Sequence, residues 1–214
     1  MNASLESYIE IVRVIREINE LHKKFSSEIC DILTYNLSKS VSNVVNEQGI
    51  DKDFQILLND YKSALNLNTI SFLEIQNKFS GIRSRAKQGE SIREKLIYYK
   101  KTHENGGIPI NKCLNDFLGF RLMVSNLSDV YEKIKVDDEV QEIISRMYPR
   151  IDGNYQGLHL YFKNGNNKFF PWELQIWDAS HAGENELSHK EHKQKRKYIL
   201  LPQNYRDGNL EKEE

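Results

Sequence analysis

Apolar residues recur three or four positions apart through the first third of the chain. Leu5, Tyr8, Val12, Ile15 and Ile18 form one such series, Phe25, Ile29, Ile32 and Leu33 a second, and Leu37, Val41, Val44 and Val45 a third. That period puts them on one side of a helix, so residues 1–66 read as helical with no strand alternation. Gly49 breaks the run, and Asp51 stands where it can cap a further helix carrying Phe54, Leu57, Leu58 and Tyr61. These stripes are packing faces rather than a cofactor box. The texture changes at Asn66-Leu67-Asn68-Thr69. From there the pattern predicts short extended runs alternating with helices: 70–82 extended in part, 91–101 helical, 117–124 a buried strand, then a helix capped by Asn126 or Ser128. Alternation at 158–162, turn residues at Asn164-Gly165-Asn166-Asn167 and a return through 169–176 read as a hairpin. A last helix is expected from about Ala179, ending in a basic run from Lys190 to Lys197. The pattern therefore predicts an α+β (mixed α/β) fold, a mixed β-sheet flanked by helices. It divides into an N-terminal helical extension (1–66), a sheet-containing domain (67–201) and a polar, frayed tail (202–214).

Composition narrows the classes. The 214 residues carry 39% hydrophobic and 29% charged side chains, as ordinary globular domains do. Thirty basic and 31 acidic residues leave a net charge of −1, so any affinity for a polyanion must come from local clustering. Two cysteines, Cys30 and Cys113, form no disulfide framework and read as buried, reduced thiols. Glu6 and Glu10 stand where a signal peptide needs an apolar run, and no stretch reaches transmembrane length. A cytoplasmic protein without a membrane partner is expected.

Against that background four segments carry chemistry. Residues 85–95 offer Arg85, Lys87, Ser91 and Lys95, and Ser91 capping a helix that starts at Ile92 would add free backbone donors beside the cations, a setting for a polyphosphate. The bland alternative is a solvated basic loop before an ordinary helix. Asp116 and Glu173 each precede an apolar run, and a carboxylate in a buried strand needs a partner or a metal. Two on neighbouring strands would make a hard-oxygen site for Mg²⁺ shared with phosphates; the alternative pairs one with Arg121 and the other with a lysine. Tyr155, in the bend Gly153-Asn154-Tyr155-Gln156-Gly157, is expected to be exposed and able to stack on a base, or else to plug the sheet edge. His159 makes an aromatic–His pair with Tyr155 or is only a half-buried strand histidine. His181, His189 and His192 invite a zinc reading, which the lysine-rich helical setting argues against.

These motifs in this order, R-x-K-x-x-x-S-I-x-x-K, D-x-x-G-x-R, Y-x-x-L-H, E-L-Q-I and E-L-x-H-K over residues 75–197, resemble the synthetase domain of the RelA/SpoT family, most closely its small stand-alone alarmone synthetases. The resemblance implies a nucleotidyltransferase-like mixed sheet and transfer of the β,γ-pyrophosphate of ATP to the 3′-hydroxyl of GDP or GTP, with Mg²⁺ as cofactor. It implies that Arg85 and Arg121 sandwich the adenine while Lys87, Ser91 and Lys95 hold the ATP phosphates. Asp116 would bind the metal, and Glu173 would help hold it and take the proton from the attacking hydroxyl. Tyr155 and His159 would bind the acceptor, Tyr155 by stacking and His159 at its phosphates. A homo-oligomer is left open.

The chain departs from the family pattern in several places. Trp177-Asp178 stand where the family has Arg-Thr, Ser188 where small synthetases carry Glu before the late histidine, and Tyr98 in place of a basic residue. There is no His-Asp dipeptide, the mark of the family's hydrolase domain. Two further expectations follow: the same chemistry on another acceptor, either the 3′ end of tRNA or an adenine nucleotide, and a nucleotide-binding regulator without activity.

Overall fold

The computed structural model describes residues 7–188, 190 and 191. Leu5, His189, His192, most of the basic run and the tail at 202–214 lie outside the described residues. Helix α1 (Tyr8–Glu28) buries Ile11, Val14, Ile15, Ile18, His22 and Phe25 on one side. A two-stranded ribbon, β1 (Val45–Asn46) with β2 (Gly49–Ile50), leads into α2 (Lys52–Leu67), where Asp51 accepts the Phe54 N–H at 3.0 Å as the expected cap. Next come α3 (Thr69–Lys78), strand β3 (Arg83–Ala86), α4 (Gly89–Thr102), the single turn α5 (Ile110–Cys113) and strand β4 (Leu118–Val124). Helix α6 (Leu127–Val136) is capped by Asn126 and α7 (Asp138–Ile143) by Asp137. Strands β5 (Arg146–Asp152), β6 (Tyr155–Phe162) and β7 (Trp172–Asp178) follow, and residues 182–188 turn as helix.

Among the described residues the main sheet has five strands in the order β3-β4-β7-β6-β5. The β4–β7 pair is parallel and the other three pairs are antiparallel, so the sheet is mixed, as the sequence predicts. The expected hairpin is β6–β7, with Phe162 opposite Trp172 and Leu158 opposite Ile176. Strand periodicity then sorts the two faces. Leu118, Phe120 and Leu122, Leu158, Leu160 and Phe162, and Trp172, Leu174 and Ile176 point one way and are buried. They share one apolar core with α1, α2 and α3. Trp172 is the hub: its ring meets Phe25 and Phe72, and its indole N–H donates to the Tyr61 hydroxyl at 2.8 Å. Burying each large apolar side chain in this layer contributes roughly 1.5–3 kcal/mol.

Three stretches differ from their sequence reading. Residues 29–50 form no α-helix: Leu37 and Val41 send their N–H groups to Asn167 and Ile108, Asn36 bonds with Ser38, and Ser40 bonds with Asn43. Short polar side chains offer the backbone local partners that compete with a helix, so Val41 packs from a 3₁₀ turn instead. Residues 70–82 are mostly helix α3, with strand beginning only at Arg83. Cys30 is exposed, just past the end of α1, whereas Cys113 is buried as expected. No described helix is long and apolar enough to cross a membrane.

Candidate active site

The second face of the sheet is polar. Its register sets Arg83 opposite Arg121, Arg85 opposite Gly119, Gly119 beside Glu173, Arg121 beside Gln175, Gln175 opposite His159 and Glu173 opposite Tyr161. On β5, Tyr148 lies opposite His159 and Arg146 opposite Tyr161. A row of charged and aromatic side chains thus crosses all five strands. Two arginines directly opposite one another on neighbouring strands are destabilising unless something anionic joins them.

Asp116 lies just before β4 and is part-buried. Its two carboxylate oxygens are shared between two ammonium groups, Lys87 on Oδ2 and Lys95 on Oδ1 at 3.0 Å, and Lys95 also reaches Asn115 at 3.3 Å. Lys87 follows β3 directly, and its N–H donates to Phe117 O at 2.8 Å, extending the ladder to the residue after Asp116. Burial opposes the ionised form of Asp116, yet the charges of Lys95 and Lys87 outweigh it and hold the carboxyl well below the usual carboxylate range. The same exchange raises Lys95: burial would lower it, and Asp116 more than compensates. Helix α4 starts at Gly89 with Gln88 as N-cap and no side-chain cap, so Ser91 lies in the first turn and is not the cap the sequence suggested. Ser91 precedes Lys95 by one turn, on the same side of the helix.

Glu173 is buried at 6% exposure, and its partners are not Arg121 or a lysine. Its Oε1 accepts from His159 Nδ1 and from the Tyr161 hydroxyl, both at 2.7 Å, and Oε2 accepts from Gln175 at 2.8 Å. Burial alone would raise this carboxyl, and Asp116 opposes its charge, but the bonds from His159 and Tyr161 keep it below its ordinary value. In the neutral imidazole, with Nδ1–H donating to the carboxylate, His159 Nε2 accepts a hydrogen bond from the Tyr155 hydroxyl at 2.8 Å. The Trp177 indole N–H donates to the same Tyr155 oxygen at 3.1 Å. One directed chain therefore runs Trp177 to Tyr155 to His159 to Glu173.

Tyr155 is thus not the exposed bend residue expected. Gly153, at φ +59°, makes a two-residue turn between β5 and β6, and Tyr155 opens β6 buried at 5% exposure, with its phenol pushed up to about 12 chiefly by burial. Gly157 makes room for it: a Cβ there would lie 2.8 Å from the Tyr155 hydroxyl and 3.1 Å from the Trp177 ring.

Arg121 packs over the Trp177 ring, its guanidinium carbon 3.5 Å from the ring centroid, and burial pulls its pKa down to about 10. Its Nε is buried without a hydrogen bond among the described residues. Arg83 reaches Glu186 at 3.7 Å, and Arg85 is exposed at the open edge of the same face. The departures at Trp177 and Asp178 therefore have structural work: Trp177 supports Arg121 and Tyr155, and Asp178 accepts from Leu127 N and Ser180 N.

The structure brings Lys87, Lys95 and Asp116 into one cluster and Glu173, His159 and Tyr155 into a second, on adjacent strands, with Arg121 and Arg85 toward the β3 edge. Sequence reading missed Tyr148, Tyr161 and Gln175. Tyr161 and Gln175 were legible as the polar phase of β6 and β7, two residues beyond His159 and Glu173; Tyr148 lies in a strand that pattern did not reveal. The two carboxylates suit Mg²⁺, which takes hard oxygen donors and commonly needs no more than one or two carboxylates plus phosphates. No group of three His, Cys, Asp or Glu that could hold a metal exists among the described residues, and His181 bonds to Ser180 at 3.0 Å, so the zinc reading gains nothing.

No family model and no curated protein matches the chain. Solved structures do. Small alarmone synthetase 1 from Bacillus subtilis is 17% identical, with a TM-score of 0.38, over 71% of this chain and 82% of that one. Small alarmone synthetase 2 from Bacillus subtilis is 21% identical, with a TM-score of 0.40, over 73% and 88%. A structure of small alarmone synthetase 1 from Bacillus subtilis bound to AMPCPP is 18% identical, with a TM-score of 0.29, over 72% and 80%.

Proposed function

We propose that this chain is an ATP-dependent pyrophosphokinase that transfers the β,γ-pyrophosphate of ATP to the 3′-hydroxyl of GDP or GTP. The observation that supports it most is the pair of lysines held on Asp116 beside Glu173. Two cations parked on one carboxylate can move to a polyphosphate, and that exchange leaves the carboxylate oxygens open to a divalent ion. Mg²⁺ bound by Asp116 and Glu173 would supply charge neutralisation on the phosphates. Lys87, Ser91, Lys95 and the uncapped start of α4 hold the ATP phosphates, and Arg121 and Arg85 flank the adenine.

The acceptor lies toward β6, against Tyr155 and His159. Its 3′-oxygen attacks the β-phosphorus, the bond to the α-phosphate oxygen breaks, and AMP leaves. Glu173 takes the hydroxyl proton. Because Glu173 accepts three hydrogen bonds it is a weak base, so positioning and charge neutralisation carry most of the rate.

Acceptor choice is the open variable on this reading. Ser188 occupies the place of the guanine-reading carboxylate and Glu186 is engaged by Arg83, which leaves Glu184 in a cleft of about 350 Å³ with Asp152, Asn154 and Ser188. The runner-up readings keep the chemistry and move it to an adenine nucleotide or a tRNA 3′ end. Purified protein with γ-³²P-ATP, Mg²⁺ and separately GDP, GTP, ATP or total tRNA tests them together. Label on GDP or GTP is expected; label on tRNA or ATP alone selects a runner-up, and no transfer to any acceptor removes the enzyme reading.

A further inference from the structure

Tyr161 belongs to none of the motifs above, yet its hydroxyl is one of three groups that touch the Glu173 carboxylate. The accounting of lone pairs on that carboxylate is unequal. Oε1 takes two donors, His159 Nδ1 and Tyr161, both at 2.7 Å, which fills its two acceptor sites. Oε2 takes one, from Gln175 at 2.8 Å, so among the described residues it has one acceptor site left. Oε2 also faces β4, 3.9 Å from where a side chain on Gly119 would begin, on the strand that Asp116 precedes.

Tyr161 is held in turn. Its proton goes to Glu173, so its oxygen accepts from the Tyr148 hydroxyl at 3.2 Å. The Tyr148 ring lies nearly parallel to both Glu173 donors, 13° from His159 with centroids 5.5 Å apart and 17° from Tyr161 at 6.0 Å. The Arg146 guanidinium covers Tyr148 from outside, 4.6 Å from the ring centroid. Edge strand β5 thus supplies a brace behind both groups that fix Oε1.

We propose that Tyr161, braced by Tyr148, is a positioning residue: it pins Oε1 of Glu173 so that the remaining acceptor site of Oε2 is presented toward β4, where Glu173 and Asp116 would hold a divalent cation. The proposal rests on the pyrophosphokinase reading for its kinetic consequence and on geometry alone for its structural one. Without the Tyr161 hydroxyl the carboxylate is held on Oε1 by His159 only and can rotate, exchanging the oxygen that faces β4.

The test is Tyr161→Phe, which keeps the ring in the sheet. Pyrophosphate transfer is expected to lose roughly 10- to 100-fold in kcat, the usual scale for groups that orient a metal ligand, with KM for ATP and the thermal midpoint close to wild type and the Mg²⁺ concentration at half-maximal rate raised. Tyr148→Phe, which keeps the stacked ring, should lose much less than Tyr148→Ala. Wild-type kcat and Mg²⁺ dependence in Tyr161→Phe would overturn the proposal, as would a loss confined to folding. A crystal structure of Tyr161→Phe decides independently of activity. A rotated Glu173 carboxylate is expected, and an unmoved one overturns the clamp whether or not the wild type transfers pyrophosphate; an inactive wild type contradicts the pyrophosphokinase reading alone.

Discussion

Asp116 divides its two oxygens between Lys87 and Lys95, and this arrangement makes the residue a structural keystone; on the proposed reading it would also hold the metal. Removing its charge leaves two part-buried ammonium groups facing each other. Asp116→Asn is therefore expected to lower stability by about 3 kcal/mol, the scale for breaking a buried pair from one side, and to reduce transfer at least 100-fold, with equilibrium urea unfolding and initial rates as the measurements. Unchanged urea stability would mean that the lysines are already solvated. Tyr155 shows what residue-level reading loses. The sequence offered an aromatic ring in a Gly-rich bend and so an exposed stacking surface. Only the pairing of β6 with β7 reveals that its hydroxyl sits between Trp177 and His159.

At the scale of elements, the parts with strong local periodicity were legible: the hairpin β6–β7, the buried strand β4, and the helices that Asp51 and Asn126 cap. The failures have separate physical causes. Residues 37–45 repeat as a helix does, but serines and asparagines there bond locally and the chain takes its partners from the loops at Ile108 and Asn167. Strand β5 contains Pro149, which reads as a breaker; it is tolerated because β5 lies at the sheet edge, where one side of the strand needs no ladder bond. The candidate site was legible as motifs, and its wiring was not, because the bonds from Tyr161 and His159 to Glu173 depend on the pairing of β6 with β7. Gly157 tests that wiring at element level. Gly157→Ala puts a methyl against the Tyr155 hydroxyl and the Trp177 ring, and overpacking of this kind costs typically 1–3 kcal/mol. The expected result is a lower thermal midpoint and disturbed Trp177 fluorescence; a variant matching wild type in both would show that β6 and β7 shift freely.

The whole molecule is tied across its layers by His22, fully buried on α1, with Nε2 at 3.1 Å from Phe170 O and its ring against Trp172. Burial pushes its pKa down to about 4, against a smaller opposing effect of the Phe170 carbonyl. A depressed pKa means that the unfolded chain binds the proton first. The stabilising effect is full above about pH 6.5 and is lost as pH falls toward 4, which amounts to about 3 kcal/mol at 1.36 kcal/mol per unit. Unfolding free energies measured from pH 7 to pH 4 should show that decline, and His22→Gln should flatten it; an identical slope in the variant would exclude His22 as its source. On the proposed reading, the group transferred across the polar face of the sheet is a pyrophosphoryl group rather than a single phosphate. The most direct measurement is ³¹P NMR of wild-type protein with ATP, Mg²⁺ and GDP. AMP appearing in equal amount with a guanosine nucleotide carrying a new 3′-diphosphate is the predicted result. ADP as the donor product, or a spectrum of unconsumed ATP and GDP, would contradict it.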